Sequence, residues 1–183
     1  MRKSVLVIST SLRQESNSDL LAEEFIRGAR EAGHMVEKVS LAGREIGFCR
    51  GCMACQRSRS GHCVIQDDAD AIVQKMAQAD VLVFATPIYY YEMSGQMKTL
   101  LDRANPLFPV DYAFREVYLL TAAADEDPSA MDGAVKGLEG WVACFEKCRL
   151  AGVVRGTAAD APGEIRSHAV HGRQAYDMGH SIR

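Results

Sequence analysis

The feature that most constrains this chain is an alternation. Short, almost wholly apolar runs are each followed by a longer stretch whose apolar residues recur at helical spacing. Residues 4–8, 35–41, 80–85, 116–121 and 151–155 have strand length and β-branched content. Residues 17–32, 93–104, 129–148 and 167–182 have helical spacing, and Asp67 and Asp68 open a further helix, where acidic side chains suit the positive end of the dipole. In the first helix Leu20, Leu21, Phe25, Ile26 and Ala29 share a face, and Gly33 is placed to close it. Strands as apolar as Val81-Leu82-Val83-Phe84, with Pro87 expected to stop that strand, are covered on both faces. Such strands belong to a parallel sheet with helices on either side. The expectation is an α/β, doubly wound, five-stranded parallel sheet.

Neither repeat nor linker interrupts the pattern, and 183 residues can bury one substantial core, so a single domain over residues 1–183 is expected. Residues 42–66 lack periodicity and read as a long loop, with a cysteine-rich part at 46–66. The net charge is −3 and the basic residues are scattered, which argues against a nucleic-acid partner. The apolar run after Met1-Arg2-Lys3 is too short for a signal peptide, and none approaches membrane-spanning length. A cytoplasmic protein without membrane contact is the expectation.

In an open parallel sheet, ligands bind beyond the carboxyl ends of the strands. Three loops there are unusual. Residues 9–18 hold four serines, a threonine, an asparagine and Arg13, leading into a helix. Hydroxyls and free N–H groups at a helix start suit an anion, and a lone Ser or Asn would merely cap the helix. Residues 86–98 contain Pro87, Ile88 and three successive tyrosines, Tyr89, Tyr90 and Tyr91. They offer a flat wall for a planar heteroaromatic ring, or a subunit contact. Residues 121–124 are Thr-Ala-Ala-Ala, small enough for close approach to a ring edge. The glycine fingerprints of dinucleotide and P-loop sites are absent.

Four of the six cysteines, Cys49, Cys52, Cys55 and Cys63, lie within one short segment. In a reducing compartment that crowding points to metal or redox chemistry rather than disulfides. Thiolates so spaced suit a [4Fe–4S] cluster or zinc, although zinc ribbons separate their cysteine pairs further. Unmetallated thiols are the plain alternative. Cys144 and Cys148 lie one helical turn apart and read as buried helix residues.

These segments resemble the flavodoxin-like NAD(P)H-dependent FMN reductases, and more closely their iron–sulfur flavoprotein branch. The carriers are Ser11-x-Arg13-x-x-Ser16-Asn17-Ser18, then Pro87-Ile88-Tyr89-Tyr90 through Ser94-Gly95-Gln96-Met97-Lys98 and Asp102-Arg103, and the compact Cys49-x-Gly51-Cys52-x-x-Cys55 with Cys63. The resemblance implies strand order 2-1-3-4-5. It implies FMN phosphate contacts at Ser11, Arg13, Ser16, Asn17 and Ser18. Ring contacts fall at Pro87, Ile88, Tyr89 and Tyr90, with Thr121 and Ala122 on the far side, where many relatives carry glycine. It also implies a cluster at the four cysteines, NAD(P)H as reductant, and a homodimer or homotetramer.

In such a protein the flavin ring carries the chemistry, so no acid–base residue is assigned. The implied activity is NAD(P)H oxidation with a small-molecule or protein electron acceptor. The rival is a non-enzymatic iron–sulfur flavoprotein electron carrier or redox sensor. A low-molecular-weight tyrosine phosphatase is excluded because no cysteine has arginine at the required spacing. A response-regulator receiver is excluded because serines and Thr86-Pro87 stand where its acidic residues belong.

Overall fold

A computed structural model describes all 183 residues. Five parallel strands form the sheet: β1 (Ser4–Ser9), β2 (Met35–Ser40), β3 (Val81–Tyr89), β5 (Glu116–Ala122) and β6 (Arg149–Gly156). Their order is β2-β1-β3-β5-β6, the doubly wound arrangement expected, and a sixth, two-residue strand, β4 (Glu92–Met93), pairs antiparallel with β3.

Alternation along the strands feeds two cores. Leu6, Ile8, Leu82, Phe84 and Leu119 face α3 (Asp68–Gln78), α4 (Gly95–Arg103) and α5 (Asp132–Val142). Val5, Val7, Val81, Val83 and Leu120 face α1 (Asn17–Glu31) and α6 (Ala169–His180). Each such side chain contributes roughly 1.5–3 kcal/mol on leaving water. The pair α1 and α6 pack backbone to backbone: a Cβ at Gly179 would lie 2.1 Å from the Phe25 carbonyl oxygen. No helix is long and apolar enough to cross a membrane.

Local boundaries depart from expectation for identifiable reasons. Pro87 does not stop β3, which runs on to Tyr89. Pairing with β1 ends at Ala85, so the missing Pro87 N–H costs no bond on that side, while pairing with β5 continues to Ala122. Met93 belongs to β4 rather than the following helix, because Ser94 caps α4 by accepting from the Met97 N–H. The helix expected over 129–148 is a 3-10 turn, Pro128–Met131, followed by α5 alone. Beyond Val142 the chain tightens so that Phe145 can join Trp141, Phe114 and Tyr112 in an aromatic cluster. The closing helix likewise starts later, at Ala169, after a 3-10 turn at Glu164–Ser167. The cysteine loop contains a short helix, α2 (Ala54–Ser58), whose five residues are too few to show periodicity.

Candidate functional site

The carboxyl ends of β1, β3, β5 and β6 lie along one edge of the sheet, so the loops that follow them meet there. After β1, the loop buries its hydroxyls: Thr10, Ser11, Ser16 and Ser18 are each at most 5% exposed. Buried hydroxyls need partners. Thr10 donates from Oγ1 to the Ala85 carbonyl at 3.0 Å and lies 3.0 Å from Ser94 Oγ. The Ser94 N–H in turn donates to Thr86 Oγ1 at 3.0 Å. This network joins the first loop, the end of β3 and the start of α4. Thr10 belongs to the hydroxyl-rich loop and Ser94 to the second signature, but their structural role with Thr86 is visible only here. Hydroxyls directly following two buried strands were the available signal.

Within the loop, Ser11 Oγ accepts from the Arg13 N–H at 3.2 Å, and Ser16 Oγ lies 3.0 Å from Ser18 Oγ. Ser16 occupies the cap position of α1 but makes no side-chain capping bond. The first-turn N–H groups have no partner within the helix. Hydroxyls, free amides and the positive end of a 15-residue helix therefore converge where an anion can be held.

Two residues of the expected phosphate set are otherwise engaged. Arg13 reaches from an exposed position to the Asp160 carbonyl at 2.9 Å, placing its guanidinium at the rim. Asn17 donates to the Ala159 and Ala161 carbonyls at 3.0 and 2.9 Å and accepts from the Ile165 N–H at 3.1 Å. Its side chain thus clamps the segment after β6 across the mouth of the first loop, leaving its backbone N–H for a ligand. That segment also bonds to the loop after β5, through Ala159 N–H to the Ala123 carbonyl and Ala158 N–H to the Asp125 carbonyl. It was missed from sequence, where only Gly156 and Pro162-Gly163 hinted at a turn.

The tyrosine segment is a hairpin. Ile88 pairs with Met93 and Tyr89 with Glu92, leaving a two-residue turn at Tyr90 and Tyr91. Both have positive φ, 50° and 65°, as a type I′ turn demands, and Asn-Gly is the usual choice there. Tyr90 is wholly exposed and Tyr89 and Tyr91 are more than half exposed, whereas Pro87 and Ile88 are half-buried. A Cβ at Gly133 of α5 would lie 2.4 Å from the Tyr91 carbonyl oxygen, so that glycine is what lets the helix support the turn. On the far side, Thr121 is buried and donates to the Val154 carbonyl at 2.8 Å, and Ala122 is buried beside it. The Thr121 hydroxyl is therefore occupied by the sheet, and small side chains form that wall.

All six non-glycine residues with positive φ lie in two places. Glu15, Tyr90, Tyr91 and Ala158 are in the loops at the carboxyl edge, and Met53 and Arg59 flank α2 in the cysteine segment. Left-handed backbone costs roughly 1–2 kcal/mol per residue, and such strain concentrates at functional sites.

The cysteine segment is anchored by Arg103 at the end of α4, whose side chain is 0% exposed. Its guanidinium makes two bonds to Asp67, at 2.6 and 2.9 Å, and donates to the Gly47 carbonyl at 2.8 Å and the Ile65 carbonyl at 3.3 Å. Burial works to raise the Asp67 pKa, but the guanidinium and the N–H groups of Gly47 and Ala69 outweigh it and hold the carboxyl below its ordinary range. Cys49, Cys52, Cys55 and Cys63 all line one cavity of about 20 Å³ beside Arg103. Burial pushes the Cys55 thiol up, and nearby Cys63 and Cys52 add to the effect. The four expected ligands thus line one cavity, but no three His, Cys, Asp or Glu side chains form a metal-holding group. The donor chemistry still fits a thiophilic centre. Four cysteines line a cavity with a buried cation whose Nε–H has no partner.

A groove of about 350 Å³ joins the two regions, lined by Leu12 of the first loop, Phe48 beside Cys49, and Gln96 of α4.

Residues 4–149 match the family described as NADPH-dependent FMN reductase. The chain is 41% identical over 103 residues to an iron-sulfur flavoprotein of Methanocaldococcus jannaschii, covering 56% of this chain and 52% of that protein. It is 32% identical over 108 residues to an iron-sulfur flavoprotein of Methanosarcina thermophila, covering 59% and 56%. The matched part thus spans about half the length of these curated relatives. An NAD(P)H:quinone oxidoreductase from Methanothermobacter marburgensis shares the fold, with a TM-score of 0.75 at 16% identity over 98% of this chain and 96% of that one.

Proposed function

We propose that this chain, which belongs to the NADPH-dependent FMN reductase family, binds FMN at the carboxyl edge of its sheet and works as an NAD(P)H-dependent oxidoreductase. The observation that carries this reading is the uncapped start of α1 inside a loop of buried hydroxyls. FMN, when bound, supplies hydride acceptance from a nicotinamide and electron delivery onward. The protein's part is to hold and shield. Ser11, Ser16, Ser18 and the first-turn amides, with the Asn17 N–H among them, grip the phosphate, and Arg13 closes over it from the rim. Pro87, Ile88, Tyr89 and Tyr90 back one side of the ring, and Thr121 and Ala122 bound the other. No side chain is assigned as acid or base. The acceptor is a small molecule or another protein, the assembly a homodimer or homotetramer, and the exposed tyrosines suit either ring or subunit contact. The reading places the protein in the cytoplasm, with neither a membrane nor a nucleic-acid partner.

A second reading is favoured by the four cysteines round one cavity: a carrier that holds FMN and a [4Fe–4S] cluster and lacks a productive nicotinamide site. Fluorescence titration with FMN, followed by steady-state NAD(P)H oxidation with a quinone or ferricyanide, separates the two. FMN uptake with turnover is expected, and Arg13→Ala should weaken uptake by about 1.5–3 kcal/mol. Uptake without turnover favours the carrier. No uptake at saturating FMN defeats both.

A further inference from the structure

Arg103 has a donor left over. Four of its hydrogen bonds, to Asp67, Gly47 and Ile65, are spent on tying together the two ends of the cysteine segment. Its Nε–H is fully buried and meets no partner. A buried donor of this kind is costly unless it is received by a partner. Arg103 lines the same cavity as all four cysteines, and Cys63 lies near enough to act on its guanidinium.

We propose that Arg103 is the positioning and charge-compensating residue of the four-cysteine centre, its Nε–H donating to a sulfur of that centre. The inference rests on the reading that Cys49, Cys52, Cys55 and Cys63 hold an iron–sulfur cluster. Such a cluster with four thiolates is anionic, and it gains one further negative charge when one electron enters, with no bond broken. In the assay that electron comes from dithionite. A fixed cation and an N–H···S bond favour the reduced form and so raise the midpoint potential. Asp67 is the opposing charge. It holds the guanidinium in place and offsets part of its field.

The test is anaerobic reconstitution with ferrous iron and sulfide, reading iron and sulfide per chain and then the midpoint potential by EPR-monitored titration. Arg103→Gln should shift the potential negative and lower retained iron. Arg103→Lys should restore iron retention while recovering only part of the potential. Asp67→Asn loosens the same anchor yet removes a negative charge, so its potential should move positive; Asp67→Glu, at wild-type potential, replaces it if the amide variant does not fold. A purely structural anchor shifts Arg103→Gln and Asp67→Asn the same way. That result, or a wild-type potential in Arg103→Gln, overturns the proposal. A wild-type chain that takes up no iron overturns the cluster reading and this inference together, leaving the FMN reading to its own titration.

Discussion

The hydroxyl loop after β1 and the cysteine segment before α3 are both irregular and both strained, and each is proposed to hold a group. They are built on opposite plans. The hydroxyl loop is fixed by the sheet itself: Thr10 bonds the end of β3, Asn17 clamps the segment after β6, and no salt bridge is needed. The cysteine segment hangs from one buried ion pair, Arg103 with Asp67, which gathers Gly47 and Ile65 at its two ends. A site distributed over many neutral bonds is preformed and loses little with any one of them. A site gathered by one ion pair opens as a whole when that pair breaks.

The sharpest way to break the contrast is Asp67→Ala. Side-chain exposures of 0% and 11% put this pair in the interior. Removing the carboxylate strands the guanidinium, a change that typically costs about 3–5 kcal/mol. Urea denaturation should show a loss of that size. Hydrogen exchange should show residues 46–66 opening first, with the first loop still protected. A loss under about 1 kcal/mol, within the range of exposed pairs, would mean that the segment is held by something other than the ion pair.

The two regions were also unequally legible. The hydroxyl loop announced itself because its chemistry is local: four serines, a threonine and an arginine in ten residues after a strand. The roles inside it were not local. Asn17 reads as a ligand contact until its partners, more than 140 positions away, are known. The strand pattern showed a parallel sheet because apolar runs are continuous, while the strand order rested on the family resemblance; the pattern hid the extension through Pro87, which depends on which neighbour pairs at that point. In the cysteine segment, spacing showed the thiols but not their anchor. Arg103 was legible as part of the second signature but not as an anchor, and only burial reveals it as the post from which the segment hangs.

A smaller effect probes the distributed plan. Asn17→Ala removes three hydrogen bonds between α1 and residues 159–165. The buried Ile165 N–H loses its acceptor, and a loss of about 1–3 kcal/mol is expected. Because Thr10 and the sheet still hold the loop, FMN affinity should fall less than tenfold in fluorescence titration. A hundredfold loss would show that the first loop, too, depends on a single clamp, and the contrast between the regions would fail.

The smallest effect has the opposite sign. Tyr90 and Tyr91 hold a turn that favours Asn-Gly, and both rings are largely in solvent, so little packing repays the strain. Replacing them together, Tyr90→Asn with Tyr91→Gly, relieves roughly 1–2 kcal/mol at each position. The added glycine returns about 0.5–1 kcal/mol through the unfolded chain, and asparagine still bears some of the left-handed cost. A net gain of about 1 kcal/mol is expected, a rise in Tm of roughly 2–4 °C for a chain of this size. The same variant should bind FMN more weakly or sediment as a smaller assembly, because strain kept at a functional surface is retained for what the side chains touch. If it is more stable yet unchanged in both flavin affinity and assembly, the tyrosines serve neither purpose. The carboxyl edge would then rest on the hydroxyl loop alone, and its distributed plan would extend no further than the grip on phosphate.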